Sequence, residues 1–444
     1  MNTDVPEKTI ALVWQRQVVA NLVTDAGEQL RIVYPGRTSN GSGCDFTDAV
    51  FTIDGKVIEG DIEIHVKSSQ WYSHGHHRDV KYNNIVLHVV MWRDSQSPTL
   101  LQNGKIIPTI CLSSFLRDSL DRLRYQPHLF RHPLPSCPQA PGFSNTESLS
   151  KSLTTAGEER FAAKATSFHT GLNQEAAGQV LFRGMSRALG YAQNAEPCEE
   201  LTHKLLLSFL QKVEPQTTAV KQAWILGTAG LLPSQRLKLR YKPLQDAEIE
   251  ELETIWQSSG AVETMKETDW CFFRVRPDNF PTRRLIALSY ILARYRKPGL
   301  LLGILELVRK APSEAEHCWL ENGLTIASQG YWANHFDFGV PKKRSSALLG
   351  REKAASIAIN AILPFVYAWS DTTAQPELKR KAAGIYHSYP KLGDNELTRH
   401  MKQQLLLERD ADLSACQQQG LIHIFKKYCR HRNCSQCPVA PNPS

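Results

Sequence analysis

The stretch GDIEIHVKSSQW, residues 60 to 71, sets Asp61, Glu63, His65 and Lys67 at every second position, with Ile62, Ile64 and Val66 between them. Each polar type in that row has a chemical use. Carboxylates are hard oxygen ligands for divalent cations. A neutral imidazole serves as a metal ligand or as a general base near neutral pH. An amine neutralises negative charge that builds in a transition state. Strand side chains alternate between faces, so one face would be aliphatic and the other would carry the polar row. Two readings follow: the wetted face of an antiparallel sheet, or a reaction site. Asp61 is either a further ligand or merely solvated, and solvated is the expectation. Just downstream, His74, His76, His77 and Arg78 crowd WYSHGHHRDVKY. Exposed polar surface is the ordinary reading of such a loop. The functional one makes His74 and His76 part of a nucleic-acid-binding rim, with Trp71 and Tyr72 offering rings for an unpaired base.

A second group lies at the other end of the chain. YCRHRNCSQCPV carries Cys429, Cys434 and Cys437 in a C-x4-C-x2-C cluster. A C-x2-C pair matches the bite of zinc or of an iron–sulfur cluster. Three ligands leave such a site open, and Cys416, His423, His431 or a distant cysteine brought in by folding are the candidates for a fourth. The competing reading is three unligated thiols in a tail. The chain has ten cysteines, and Cys111, Cys137, Cys198, Cys271 and Cys318 are scattered singly, as buried reduced thiols are.

The third group is CFFRVRPDNFPTRR, where Arg274, Arg276, Arg283 and Arg284 alternate with aromatics and prolines. Basic residues among aromatics suit contact with DNA or RNA. The same arginines equally suit the carbonyl ends of neighbouring helices. Lys342, Lys343 and Arg344 form a further basic loop. A net charge of +8 permits a polyanionic partner without requiring one.

These groups need elements to hold them. The 444 residues are too many for one ordinary core, and 42% hydrophobic with 22% charged residues is ordinary for a globular chain. No apolar run approaches the roughly 20 residues that span a bilayer, so no membrane partner is expected. The opening MNTDVPEKTIALVWQRQ lacks the basic start of a secretory signal, which makes the cytoplasm the expected location. Asp4 with Glu7 forms a capping-box pattern before Ile10, Trp14, Val18 and Leu22 at helical spacing. EQLRIVYPG reads as a strand. DAVFTIDGKVIEGDIEIHVK reads as two strands turning at Asp54-Gly55, and NIVLHVVMW as a strand buried on both faces. The pattern thus predicts an α/β domain over residues 1–125, in the order helix, three strands, helix, strand. Pro, Ser and Asn between 126 and 150 predict a linker. Helical periods dominate 151–415, in EERFAAKATSFHTGL, AGQVLFRGMSRALGY, EELTHKLLLSFLQKV, LQDAEIEELETIWQS, PTRRLIALSYILARY and REKAASIAINAILPFVYAW. Residues 416–444 form a cysteine-containing C-terminal segment.

That element order, with GCDFTDAVF at a strand start and EIHVK on the next strand, resembles the PD-(D/E)XK nuclease superfamily. The resemblance implies a restriction-endonuclease-like mixed sheet and a metal-dependent nuclease acting on DNA or RNA. It implies that Asp45 and Glu63 hold Mg²⁺ or Mn²⁺, which neutralises phosphate charge and activates a water. Glu7 is the candidate for a further acid on the first helix. His65 stands where the superfamily has lysine. Lys67 shares its face but starts nearly ~7 Å further along, at about 3.3 Å per residue, so either Lys67 reaches back or His65 acts as base or ligand. The alternative is a catalytically inactive nucleic-acid-binding or scaffold protein on the same framework. Nearly the whole chain also resembles a bacterial family known only as domain of unknown function 2851, through GCDF, GDIEIHVKSSQWYSHGHH, NNIVLHVV, RPDNFPTRR and the closing QQQGLIHIFKKYC.

Overall fold

The computed structural model describes residues 5–17, 22–39, 43–116, 137, 146–191, 193–213, 217–237, 239, 245–258, 260, 263–272 and 275–439. It divides into two units. The first comprises Met1–Ala156, Asp394–Ala411 and Gly420–Ser444, and the second Gly157–Gly393 and Asp412–Gln419. This differs from the linear division that the sequence suggests, because the chain returns to its first unit twice. The proline-rich stretch lies largely outside the described residues, and residues 146–150, expected to end the linker, already belong to the helix Thr146–Leu172.

In the first unit, α1 (Glu7–Gln15) buries Ile10, Val13 and Trp14. The expected cap at Asp4 and the apolar Val18 lie outside the described residues, and Leu22 belongs to a strand, β1 (Leu22–Val23). A meander follows: β2 (Gln29–Tyr34), the short β3 (Arg37–Thr38), β4 (Phe46–Ile53) and β5 (Lys56–Lys67). β4 and β5 join at Asp54-Gly55, where both residues take positive φ, 45° and 84°. A two-residue turn needs that backbone to match the twist of its strands. The helical turn α2 (Gln70–Ser73) and two 3₁₀ turns, His76–Arg78 and Val80–Tyr82, lead into β6 (Ile85–Trp92). β6 runs parallel to β5 and is almost wholly buried. The small hairpin β7 (Thr99–Leu100) and β8 (Ile106–Ile107) precedes β9 (Thr109–Cys111), parallel to β6. The sheet order is β1-β2-β4-β5-β6-β9, with β3 on β4.

Both faces of this sheet are covered. Ile62 and Ile64 join Ile10, Trp14, Phe46, Leu87 and Val89 in one core, and each fully buried aliphatic side chain there contributes roughly 1.5–3 kcal/mol. On the other face Trp71 and Tyr82 from the β5–β6 connection pack with Cys44, Ile85, Leu101 and Ile107. The polar row of β5 is therefore roofed over: Asp61, Glu63 and His65 are 8%, 5% and 1% exposed. The expectation of a solvated Asp61 is corrected here, since it is buried and its carboxylate accepts the Asp48 N–H at 3.3 Å.

The C-terminal parts of the first unit lie along β2 and β5. His400, on the helix Glu396–Gln404, donates from Nε2 to Val33 O at 3.0 Å, and Arg430 pairs with Glu59. The second unit is mostly helical, as the periodicity predicts. Its core runs through the helices Ala177–Leu189, Thr218–Thr228, Pro281–Arg294 and Leu363–Thr372, and it adds one small hairpin, His335–Asp337 with Val340–Pro341. Among the described residues no helix is long and apolar enough to cross a membrane.

Candidate metal centre

β5, β6 and β9 set the site by register. Glu63 is paired with His88, and His88 with Thr109, so these side chains form one row across three parallel strands, on the roofed face. The turn at Gly75, with φ 77°, folds His76 back beneath Tyr82, whose ring centroid is 3.9 Å from its own. Three polar atoms meet there. Glu63 Oε1 lies 3.4 Å from His76 Nε2 and 3.7 Å from His65 Nε2, and the two Nε2 atoms are 3.3 Å apart. His74, exposed, brings a ring nitrogen within 4.8 Å of its counterparts on His65 and His76.

Burial sets the protonation of this cluster. It pushes His65 down to about 2, with the charges of His88, His76 and His74 adding to the effect. His76 falls to about 4, through burial and then His74. His88 falls to about 3, through burial and His76. All three are neutral at pH 7, so the contacts to Glu63 are not ion pairs. Neutral imidazole is the metal-binding form.

The separations fit one cation. Ligand bonds of about 2.0–2.2 Å in a tetrahedral arrangement put neighbouring donors roughly 3.3–3.6 Å apart, and Glu63 Oε1, His65 Nε2 and His76 Nε2 are 3.3 to 3.7 Å apart. Nitrogen donors suit Zn²⁺ or Mn²⁺ better than Mg²⁺, which prefers oxygen. Behind them runs a relay: His65 Nδ1 to His88 Nε2 at 2.9 Å, His88 Nδ1 to Thr99 Oγ1 at 3.0 Å, and Thr99 Oγ1 to Thr109 Oγ1 at 2.9 Å. With His65 Nε2 kept for a cation, its proton must sit on Nδ1 and be donated to His88. Such outer partners fix the tautomer and orientation of a ligating imidazole.

The other sequence candidates fall into three groups. Asp45 comes opposite Glu63 in the register that pairs Phe46 with Ile62, but its Oδ2 accepts the Ile64 N–H at 2.7 Å. Lys67 is exposed at the end of β5, its N–H bonded to Gln70 Oε1 at 2.6 Å, so it stands beyond the cluster rather than within it. Glu7 is exposed on α1. His76 is no rim residue; it is buried, with 8% exposure.

Arg274 lies outside the described residues, and Arg276 is exposed. Arg283 is wholly buried, donating to Trp332 O at 2.9 Å, His335 O at 2.6 Å and Ser346 O at 3.0 Å. Arg284 donates to Leu348 O at 2.5 Å. These two arginines hold loop carbonyls inside the second unit, and the expected nucleic-acid contact is corrected for them: their donors are turned inward. Cys429, Cys434 and Cys437 share the wall of a single cavity. Residue-by-residue reading missed His88, whose one signal was a polar residue inside the apolar run IVLHVV. It also missed the partner role of Thr99, which has no local signal.

A family model described as Protein of unknown function (DUF2851) matches residues 7–395. That span contains the whole β5–β6 site and stops short of the three C-terminal cysteines. No curated protein and no solved structure matches the chain.

Proposed function

The chain belongs to that family, whose description names no chemistry, and from the site itself we propose that the first unit is a metal-dependent phosphodiesterase of the nuclease type. The observation that carries this reading is the convergence of Glu63 Oε1, His65 Nε2 and His76 Nε2 within 3.7 Å of one another. The strand order supports it as well: an antiparallel β2-β4-β5 meander with β6 parallel to β5 is what a restriction-endonuclease-like core requires.

In this reading Glu63, His65 and His76 hold a Mn²⁺ or Zn²⁺ ion, with His74 at its exposed side. Such an ion polarises a phosphoryl oxygen and lowers the pKa of a bound water. Glu63 supplies the negative charge of the site. His88 keeps the His65 proton on Nδ1 through the relay to Thr99. Asp45, half-buried just before β4, orients substrate or water from beside Glu63 in the same reading. The basic balance of the chain favours a polyanionic substrate, DNA or RNA.

The burial of Glu63 and His65 favours one other reading, a catalytically silent scaffold or nucleic-acid-binding protein on the same framework. Incubating labelled single- and double-stranded DNA and RNA with the full chain and Mn²⁺ separates the two. Cleavage by wild type that is lost in Glu63→Ala supports the nuclease. Equal cleavage in both preparations identifies a contaminant, and cleavage in neither leaves the scaffold.

A further inference from the structure

The three C-terminal cysteines converge with a fourth that the sequence shows no reason to join to them. Cys137, Cys429, Cys434 and Cys437 line one cavity of about 270 Å³ in the first unit. The backbone that delivers three of them is specific. The helix Ala415–Ile424 opens into a single π turn, Phe425–Cys429. Arg432 then takes a left-handed backbone at φ 53°, and the Asn433 N–H closes onto Tyr428 O at 2.9 Å. A 3₁₀ turn follows, with the Cys437 N–H on Cys434 O at 3.2 Å. That turn sets the C-x2-C pair side by side, and π turns inside helices are frequent at functional sites. Burial, and then the charges of Cys437, Cys137 and Cys434, oppose ionisation of Cys429. A cation among the four sulfurs reverses that, since a coordinating thiol is deprotonated outright.

The space that the cysteines line bears on the kind of cation. A zinc ion with four thiolates at about 2.3 Å holds its sulfurs roughly 3.8 Å apart. The four cysteines instead surround a cavity of about 270 Å³. Room of that kind among the cysteines is what a polynuclear cluster needs, because each sulfur then ligates a different iron or shares one with a single neighbour.

We propose that Cys137, Cys429, Cys434 and Cys437 bind an iron–sulfur cluster, with Cys137 as the fourth ligand. The cluster ties Cys137 to Cys429, Cys434 and Cys437, within one unit. This inference is independent of the nuclease reading and has its own readout.

The test begins with full-length protein purified without oxygen. Iron and acid-labile sulfide in equal amounts, with broad visible absorption that dithionite bleaches, are expected. Stoichiometric zinc without sulfide, or no metal, overturns the proposal. Cys137→Ser is expected to lose iron and sulfide while Cys111→Ser retains both, and wild-type loading in Cys137→Ser overturns the assignment of the fourth ligand. A measurement on the wild type covers the case in which Cys137→Ser fails to fold. Cysteine alkylation read by mass spectrometry, before and after oxidative removal of the cluster, should show all four residues becoming reactive together. Cys137 alkylated at one unchanged rate overturns its role.

Discussion

Glu63 Oε1 stands 3.4 Å from His76 Nε2, with both side chains buried and the imidazole neutral. A carboxylate and a lone-pair donor held that close repel unless a proton or a cation lies between them. The prediction is that Mn²⁺ or Zn²⁺ raises the melting temperature of chelator-treated protein by a few degrees, as binding at a hundredfold excess over Kd contributes about 2.7 kcal/mol. Glu63→Gln should remove most of that rise. A metal-induced shift of equal size in both proteins would place the cation elsewhere.

His88 should act through His65. Its Nε2 is 2.9 Å from His65 Nδ1, and outer partners of this kind are worth about 10–100-fold in metal affinity. His88→Leu is therefore expected to weaken metal binding by that factor in calorimetric titration. Unchanged affinity would reduce His88 to a packing residue.

A pH dependence follows from His400. Burial holds its imidazole down to about 4, partly countered by its bond to Val33 O. Between pH 6.5 and 4 the unfolded chain takes up a proton that the folded chain refuses, so stability rises with pH across that window. The contribution is fully present above about 6.5 and is lost as pH falls towards 4, by roughly 3 kcal/mol in total. His400→Gln keeps a donor for Val33 and removes the titration. Urea unfolding at several pH values should therefore show a slope smaller by about 1.4 kcal/mol per pH unit in the variant; parallel curves would contradict this.

Arg283 and Arg276 should behave as opposites. Removing the buried Arg283 strands the carbonyls of Trp332, His335 and Ser346, so Arg283→Ala should cost at least about 3 kcal/mol. Lysine should not rescue it, because one ammonium cannot reproduce the guanidinium fork. Arg276→Ala, at an exposed position, should stay within about 0.5 kcal/mol of wild type. Equal effects in denaturant melts would mean that the inward pairing of Arg283 carries little stability.

Much of the first unit can be read from the chain in order. Alternation in residues 60–67, the Asp54-Gly55 turn and the apolar run of β6, interrupted by His88, each depend on neighbours a few residues apart, so β4, β5 and β6 fall where local periodicity puts them. Glu63 and His65 were visible as site candidates for the same reason. Whether their face was wet or covered was not, because alternation only says that two faces differ. Trp71 and Tyr82, from the connection that follows β5, close that face and turn an apparently solvated row into a desolvated cluster.

The sequence by itself determined the strands, their turn, the helical character of the second unit and the types of donor present. The tertiary structure alone decided that His88 stands beside Glu63 across a parallel strand pair, that Arg283 points inward, and that Cys137 meets residues almost three hundred positions away. The physical reason is range. Periodicity and turn chemistry are fixed by backbone geometry over a few residues, whereas each of these meetings depends on which apolar surfaces are buried against one another once the whole chain has closed.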